Sequence, residues 1–291
     1  MGHGMAKNLI QRHEGPLYVY DVNAAAVHKF IEACPQATAL TSPGDVAEKA
    51  ATVITMLPEP QHVEGVYKSM MDAVDKDSLM IDSSTIGPET ARRVSAEMAR
   101  KNVRAFDAPV SGGTIGANNG TLTFMVGGPS EADFEKIKPT LSTMGHNVVY
   151  CGASGTGQVA KICNNMMLAI SMIGVSETLL LGTRLGMDPA LLAKIMNTST
   201  GRCWASDTCN PHPGVNPNAP AGKDYQGGFA VKLIAKDLRL AMKAASDVND
   251  SPTMGTISAK VYNQLANTDY ASLDFSSVYK WMGVEEPTQK K

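Results

Sequence analysis

Neither sign of charge dominates this chain, and no pair of its cysteines is spaced to hold a metal. Against 26 Lys and Arg stand 28 Asp and Glu, a formal net charge of −2 over 291 residues. Such a balance sets up no field for a nucleic acid or an anionic membrane surface, so neither is expected as a partner. Cys34, Cys151, Cys163, Cys203 and Cys209 are odd in number and include no CxxC pair. That usage points to a reducing compartment, without a disulfide framework or a zinc site. His3, His13, His28, His62, His146 and His212 lack metal-ligand spacing and any triad context, so no metal site and no histidine-based mechanism are expected. There is no internal repeat and no low-complexity tract. The longest apolar stretch, after Lys161, is interrupted by Ser171, Ser176, Glu177 and Thr178, and reads as a core helix rather than a membrane span.

What is present is an alternation. Short β-rich runs at 17–20, 52–56, 79–81, 104–106, 121–126 and 147–150 alternate with helical patterns at 5–11, 24–33, 61–73, 88–101 and 131–144. This is the rhythm of a doubly wound α/β sheet. From Gly155 onward the strand signal disappears. Helical patterning takes over at 155–185, 189–196, 231–248 and 253–266, with a Pro-, Gly- and Asn-rich excursion over 210–228 and a tail over 285–291 that is expected to fray. The fold class expected is α/β: a Rossmann-like doubly wound sheet over 1–152, followed by an all-α helical domain over 153–291.

The start is unusual. Met1-Gly2-His3-Gly4-Met5 opens a helix with no strand before it, and Asp21 ends a strand 19 residues after Gly2. In a dinucleotide-binding βαβ unit, an acidic residue at that strand end accepts hydrogen bonds from the adenosine ribose. Gly2 suits the last glycine of GxGxxG, while the first strand and the first two glycines are missing. A first strand is central in such a sheet. Its loss predicts unpaired neighbours, reduced apolar packing and weak dinucleotide binding, as for a truncated form.

Three segments carry candidate chemistry. Lys161 and Asn165 stand four residues apart at the head of the apolar run, and so share a helix face. Burial disfavours a lysine's charge and moves its pKa towards neutrality, as a proton-transferring amine requires; a lysine snorkelling to solvent is the alternative. Ser111-Gly112-Gly113 offers unshielded backbone N–H groups and a hydroxyl, which suit a carboxylate, or forms a plain glycine turn. Leu57-Pro58 and Ser83-Ser84-Thr85 each follow a strand at the sheet edge where α/β folds bind ligands; a strand-to-helix turn and a helix cap are the alternatives.

These residues resemble the β-hydroxyacid dehydrogenase family, most closely its 3-hydroxyisobutyrate branch. Tyr20-Asp21-Val22, Thr55-Met56-Leu57-Pro58, Asp107 to Gly113, Gly155 to Asn165, Gly201-Arg202-Cys203-Trp204 and Lys236-Asp237-Leu238 carry the resemblance over essentially the whole chain. It implies NAD-dependent oxidation of 3-hydroxyisobutyrate to methylmalonate semialdehyde in valine breakdown, in the mitochondrial matrix, by a homodimer or homotetramer. Lys161 would be the general base and Asn165 its catalytic companion. Ser111, Gly112, Gly113, Phe229 and Asp237 would line the substrate, and Gly2, Asp21, Leu57, Pro58, Thr85 and Lys236 the NAD. The alternatives are a related semialdehyde or glyoxylate reductase using NADPH, and a dehydrogenase-like module impaired by the missing strand. Asp21 speaks against NADPH, because a carboxylate repels its 2′-phosphate.

Overall fold

Runs such as Thr52-Val53-Ile54-Thr55 and Leu79-Met80-Ile81-Asp82 suit a pleated surface and form strands, while Pro43, Pro60, Pro88 and Pro189 stand in the first turn of helices, where no N–H is needed. The structure, a computed structural model, describes residues 1–283; the expected tail over 285–291 lies outside the described residues. The chain divides into a first unit, Met1–Lys161, and a second that starts at Ile162.

The first unit runs α1 (Gly2–Arg12), β1 (Leu17–Val19), α2 (Ala24–Ala33), β2 (Ala37–Ala39), α3 (Pro43–Lys49), β3 (Thr52–Thr55), α4 (Pro60–Met70), β4 (Leu79–Asp82), α5 (Pro88–Ala99) and β5 (Arg104–Asp107). It continues with β6 (Val110–Ser111), α6 (Gly113–Asn119), β7 (Leu122–Gly127), α7 (Glu131–Ser142) and β8 (Gly145–Gly152). β1 and β2 pair in parallel as a sheet of their own. The larger sheet has the order β3-β4-β5-β7-β6, with β8 beside β7. Among the described residues β1 and β3 each have a single partner strand, and α3 contacts both. The strands thus fall into two sheets, β1-β2 apart from the larger one.

Side chains alternate across the larger sheet, as strand geometry requires. Ile81 and Phe106 face a core with Leu122, Phe124, Ile137 and Leu141, while their neighbours Met80 and Ala105 face another with Val63, Tyr67, Ile86 and Met98. Asp82 and Asp107, the last residues of β4 and β5, are register partners at one end of the sheet.

Several regular elements escaped the sequence reading, among them the two-residue strand β6. β2 has one β-branched residue, Thr38, and α3 is only seven residues long. α6, Gly-Thr-Ile-Gly-Ala-Asn-Asn, is poor in helix formers and is held by tertiary contact with α1. There the Asn8 amide donates to the Ala117 and Asn118 carbonyls at 2.8 and 3.1 Å. A Cβ on Gly4 would come within 2.6 Å of Asn118 and 2.8 Å of Ala117, so glycine lets the two helices approach. The single turn Trp204–Asp207 and the helix Val278–Gly283 in the second unit, described next, escaped it as well.

The second unit carries most of α8 (Thr156–Arg184), then α9 (Pro189–Thr198), α10 (Trp204–Asp207), α11 (Val231–Asp247), α12 (Thr253–Leu265) and α13 (Val278–Gly283). Its core gathers Met172, Leu179, Ile234, Leu238, Tyr262 and Phe275, and the Tyr262 hydroxyl donates to the Phe275 carbonyl at 3.1 Å. One expectation needs correction. α8 is apolar on nearly every face but is not buried on every face. Met167 and Leu181 are 59% and 61% exposed, in a stripe with Cys163, Gly174, Thr178 and Leu185. Composition gives a helix its apolarity; only packing decides which side is covered. Its 29 residues would be long and apolar enough to cross a membrane, yet Met172, Val175 and Leu179 belong to the core of a helical unit.

Candidate active site

At the carboxyl ends of β3 and β4, one buried carboxylate ties two loops together. Asp82 Oδ1 accepts from Thr55 Oγ1 at 2.8 Å, from the Ser84 hydroxyl at 2.6 Å and from the Ser84 N–H at 3.2 Å. The Ser84 Oγ in turn accepts from the Leu57 N–H at 2.8 Å. Leu57-Pro58 and Ser83-Ser84-Thr85 therefore form one connected ledge on the sheet edge, with Pro58 exposed and Thr85 half-buried. Burial pushes the Asp82 carboxyl up to about 6, against the hydrogen bonds from Ser84 and Thr55.

Asp21 stands exposed just beyond β1, and its Oδ1 accepts from the Asn23 N–H at 2.8 Å. Asn23 caps α2 through bonds from the Ala25 and Ala26 N–H groups. Gly2 begins α1, whose first turn has no side-chain cap. A helix start without a cap, followed by an exposed carboxylate at the next strand end, fits a dinucleotide's pyrophosphate and ribose.

The Ser111-Gly112-Gly113 segment leaves the sheet where Ser111 pairs with Thr123. Gly112 and Gly113 have φ of 131° and 62°, a conformation that demands glycine, and both are exposed. A Cβ on Gly113 would meet nothing within 4 Å, so the backbone there is open to an approaching group.

Lys161 lies in the second turn of α8 and is only 7% exposed. The helix start that carries it is fixed by two residues the sequence reading passed over. Asp107, at the end of β5, accepts from the Gly155 N–H at 2.6 Å and the Gln158 N–H at 2.9 Å, one on each carboxylate oxygen. Burial raises its carboxyl to about 6, opposed by the backbone N–H groups it accepts from. Gln158 is fully buried; its Oε1 accepts from the Ile86 N–H at 3.0 Å and its Nε2 donates to the Ser84 carbonyl at 2.8 Å. The signal available in sequence was weak: an amide three residues before Lys161, and hence on the same helix face.

In the second unit, Asn165 follows Lys161 by one turn of α8 and is 2% exposed. Its amide donates to Asp237 Oδ2 at 2.6 Å, while Asp237 Oδ1 lies 3.2 Å from Lys236 Nζ. Lys236 and Asp237 are 7% and 3% exposed on α11, so the charges are withdrawn from water together. Phe229 is placed elsewhere in this unit: its N–H donates to Asp274 Oδ2 at 2.7 Å, and its ring stands 6.0 Å from that of Phe275. The structure thus gathers Asn165, Lys236 and Asp237, and sets Phe229 against the helical core.

Known proteins are similar to this chain in sequence and fold. Residues 1–152 match the family model of the NAD binding domain of 6-phosphogluconate dehydrogenase. Residues 155–282 match that of the NAD-binding domain of NADP-dependent 3-hydroxyisobutyrate dehydrogenase. The mitochondrial 3-hydroxyisobutyrate dehydrogenase of Mus musculus is 48% identical over 290 residues, covering 99% of this chain and 85% of that protein. An NAD-dependent L-serine dehydrogenase of Pseudomonas aeruginosa is 44% identical over 292 residues, covering 99% and 96%. Among solved structures, a Mycobacterium tuberculosis 3-hydroxyisobutyrate dehydrogenase with L-serine superposes with a TM-score of 0.91 at 36% identity, covering 97% of this chain and 95% of that one.

Proposed function

The chain belongs to the 3-hydroxyisobutyrate dehydrogenase family, and from that premise we propose that it oxidises (S)-3-hydroxyisobutyrate to methylmalonate semialdehyde with NAD, a step of valine breakdown. The observation that carries this reading is a buried lysine, Lys161, one helical turn from a buried asparagine, Asn165. NAD held by these residues would supply the hydride acceptor for the carbinol carbon. Lys161 accepts the hydroxyl proton at Nζ as that hydride departs, and returns it in the reverse direction. Asn165, braced by Asp237, orients a substrate oxygen or the amine itself. The open backbone and hydroxyl of Ser111-Gly112-Gly113 hold the substrate carboxylate.

Asp237 shapes the substrate side through its bond with Asn165. Gly2 and Asp21 hold the pyrophosphate and ribose, Leu57 and Pro58 the adenosine side, and Thr85 and Lys236 the nicotinamide side. The dinucleotide-binding domain spans 1–152 and the helical domain 153–291. The location is the mitochondrial matrix, in keeping with the relative named mitochondrial. A homodimer or homotetramer would cover the exposed stripe of Met167, Leu181 and Leu185.

A second reading has its own support: the Pseudomonas relative is named for L-serine and the Mycobacterium structure includes it. Serine and 3-hydroxyisobutyrate are both 3-hydroxy acids and differ at C2, ammonium against methyl. NADH formation with both, and with competing hydroxyacids, separates the readings. The highest kcat/KM is expected for (S)-3-hydroxyisobutyrate; a higher value for serine would assign the enzyme to the second reading.

Cofactor choice gives a further expected result. Asp21→Ser removes a ribose acceptor and the charge that repels a 2′-phosphate, so the ratio of kcat/KM for NAD to that for NADP should fall. Asn23 is left in place because it caps α2. An unchanged ratio would show that Asp21 does not face the ribose.

A further inference from the structure

Gln158 is a polar side chain with no exposure, on the face of α8 that carries Lys161, and both ends of its amide are used. Its partners are the Ser84 carbonyl and the Ile86 N–H, so it grips the backbone on either side of Thr85. A hydrophobic residue of this size would fill the same space without the cost of burying an amide. What it could not do is fix a distance. The loop is independently anchored, because Ser84 also bonds Asp82 and Leu57. The helix end is anchored at its backbone by Asp107. Gln158 joins the two anchored pieces.

We propose that Gln158 is a positioning residue for proton transfer, setting the place of Lys161 against the Ser84–Ile86 loop through its two hydrogen bonds. The proposal rests on Lys161 being the base. Gln158 has no exposed surface to offer a ligand; it acts through the helix. A base held on a rigid element is effective only in a narrow range of positions, and displacement by about 1 Å can cost on the order of 100-fold in rate. With the loop still held by Asp82, loss of the amide bridge is felt at the lysine.

The test uses the full chain and two substitutions. Gln158→Met keeps length and apolar volume and removes both bonds. It is expected to fold cooperatively and to bind NAD within about threefold of the parent, while kcat falls roughly 10- to 100-fold. Added to Lys161→Ala, it should lower the residual rate by less than about twofold, because a positioning effect vanishes once the positioned group is gone. Gln158→Glu is the conservative variant. Protonated, it can still donate to the Ser84 carbonyl and accept from the Ile86 N–H; ionised, it cannot donate. Asp107 and Asp82 raise its proton affinity, and Lys161 opposes them. Its kcat relative to the parent should therefore be highest at acidic pH and fall as pH rises.

An unchanged kcat in Gln158→Met, a full multiplicative loss on top of Lys161→Ala, or a flat activity ratio in Gln158→Glu would each overturn the proposal. The underlying reading fails separately: Lys161→Ala retaining more than about a tenth of parental turnover would remove the base itself.

Discussion

Lys161→Ala is expected to lower kcat by about 10²- to 10⁴-fold, the range in which general acid–base groups contribute. That corresponds to roughly 2.7–5.5 kcal/mol of transition-state stabilisation at about 1.36 kcal/mol per tenfold. NAD affinity, read by fluorescence titration, should be nearly unchanged, because Gly2 and Asp21 lie on other elements than α8. Lys161→Arg should not rescue, since a guanidinium keeps its proton throughout the working range. The kcat/KM profile of Lys161→Ala should lose its dependence on a group titrating on the basic side. Turnover above a tenth of the parent's would mean that another group takes the proton.

The pair at the centre of that argument was legible in the sequence because its geometry is local. Lys161 and Asn165 are four residues apart in a helical run, and helix periodicity alone sets them on one face. Asp237 was different. It lies 72 residues from Asn165, and nothing in spacing or composition joins them; only the family resemblance named it, and the 2.6 Å hydrogen bond is a fact of tertiary packing. Gln158 and Asp107 were passed over for the same reason, since their partners are backbone groups on distant loops and leave no mark on the sequence pattern.

The same division runs through the fold. β3 and β4, rich in β-branched and long apolar residues, were readable. β2 and α6 were not, because their residues favour no regular structure and neighbouring elements impose it. Nor does the sequence of α8 distinguish Met172, wholly buried, from Met167, mostly exposed: both are methionine in one apolar run.

The buried carboxylates at the sheet edge predict an unusual dependence of stability on pH. Asp82 has its folded pKa raised from 3.8 to about 6 by burial. Between those values the folded chain keeps the proton and the unfolded chain releases it, so stability must fall as pH rises through this window. The contribution is fully present below about pH 4 and lost above about pH 6. Asp107 is shifted in the same direction, to about 6, and adds to the effect. Asp82→Asn removes the charge but keeps an acceptor oxygen for Thr55 Oγ1 and for the Ser84 N–H and hydroxyl. It should flatten the Asp82 part of the profile and stabilise the protein at neutral pH by as much as about 3 kcal/mol, at about 1.36 kcal/mol per pKa unit. Urea unfolding from pH 4 to 7.5 measures both slopes. A variant profile parallel to the parent's, or a variant less stable at pH 7, would mean that Thr55 and Ser84 offset the cost of burying the Asp82 carboxylate. The steeper fall in the parent would otherwise trace the strain of keeping two register-paired acids, one holding the Leu57 and Ser84 ledge and the other the start of α8, at the edge that presents Lys161.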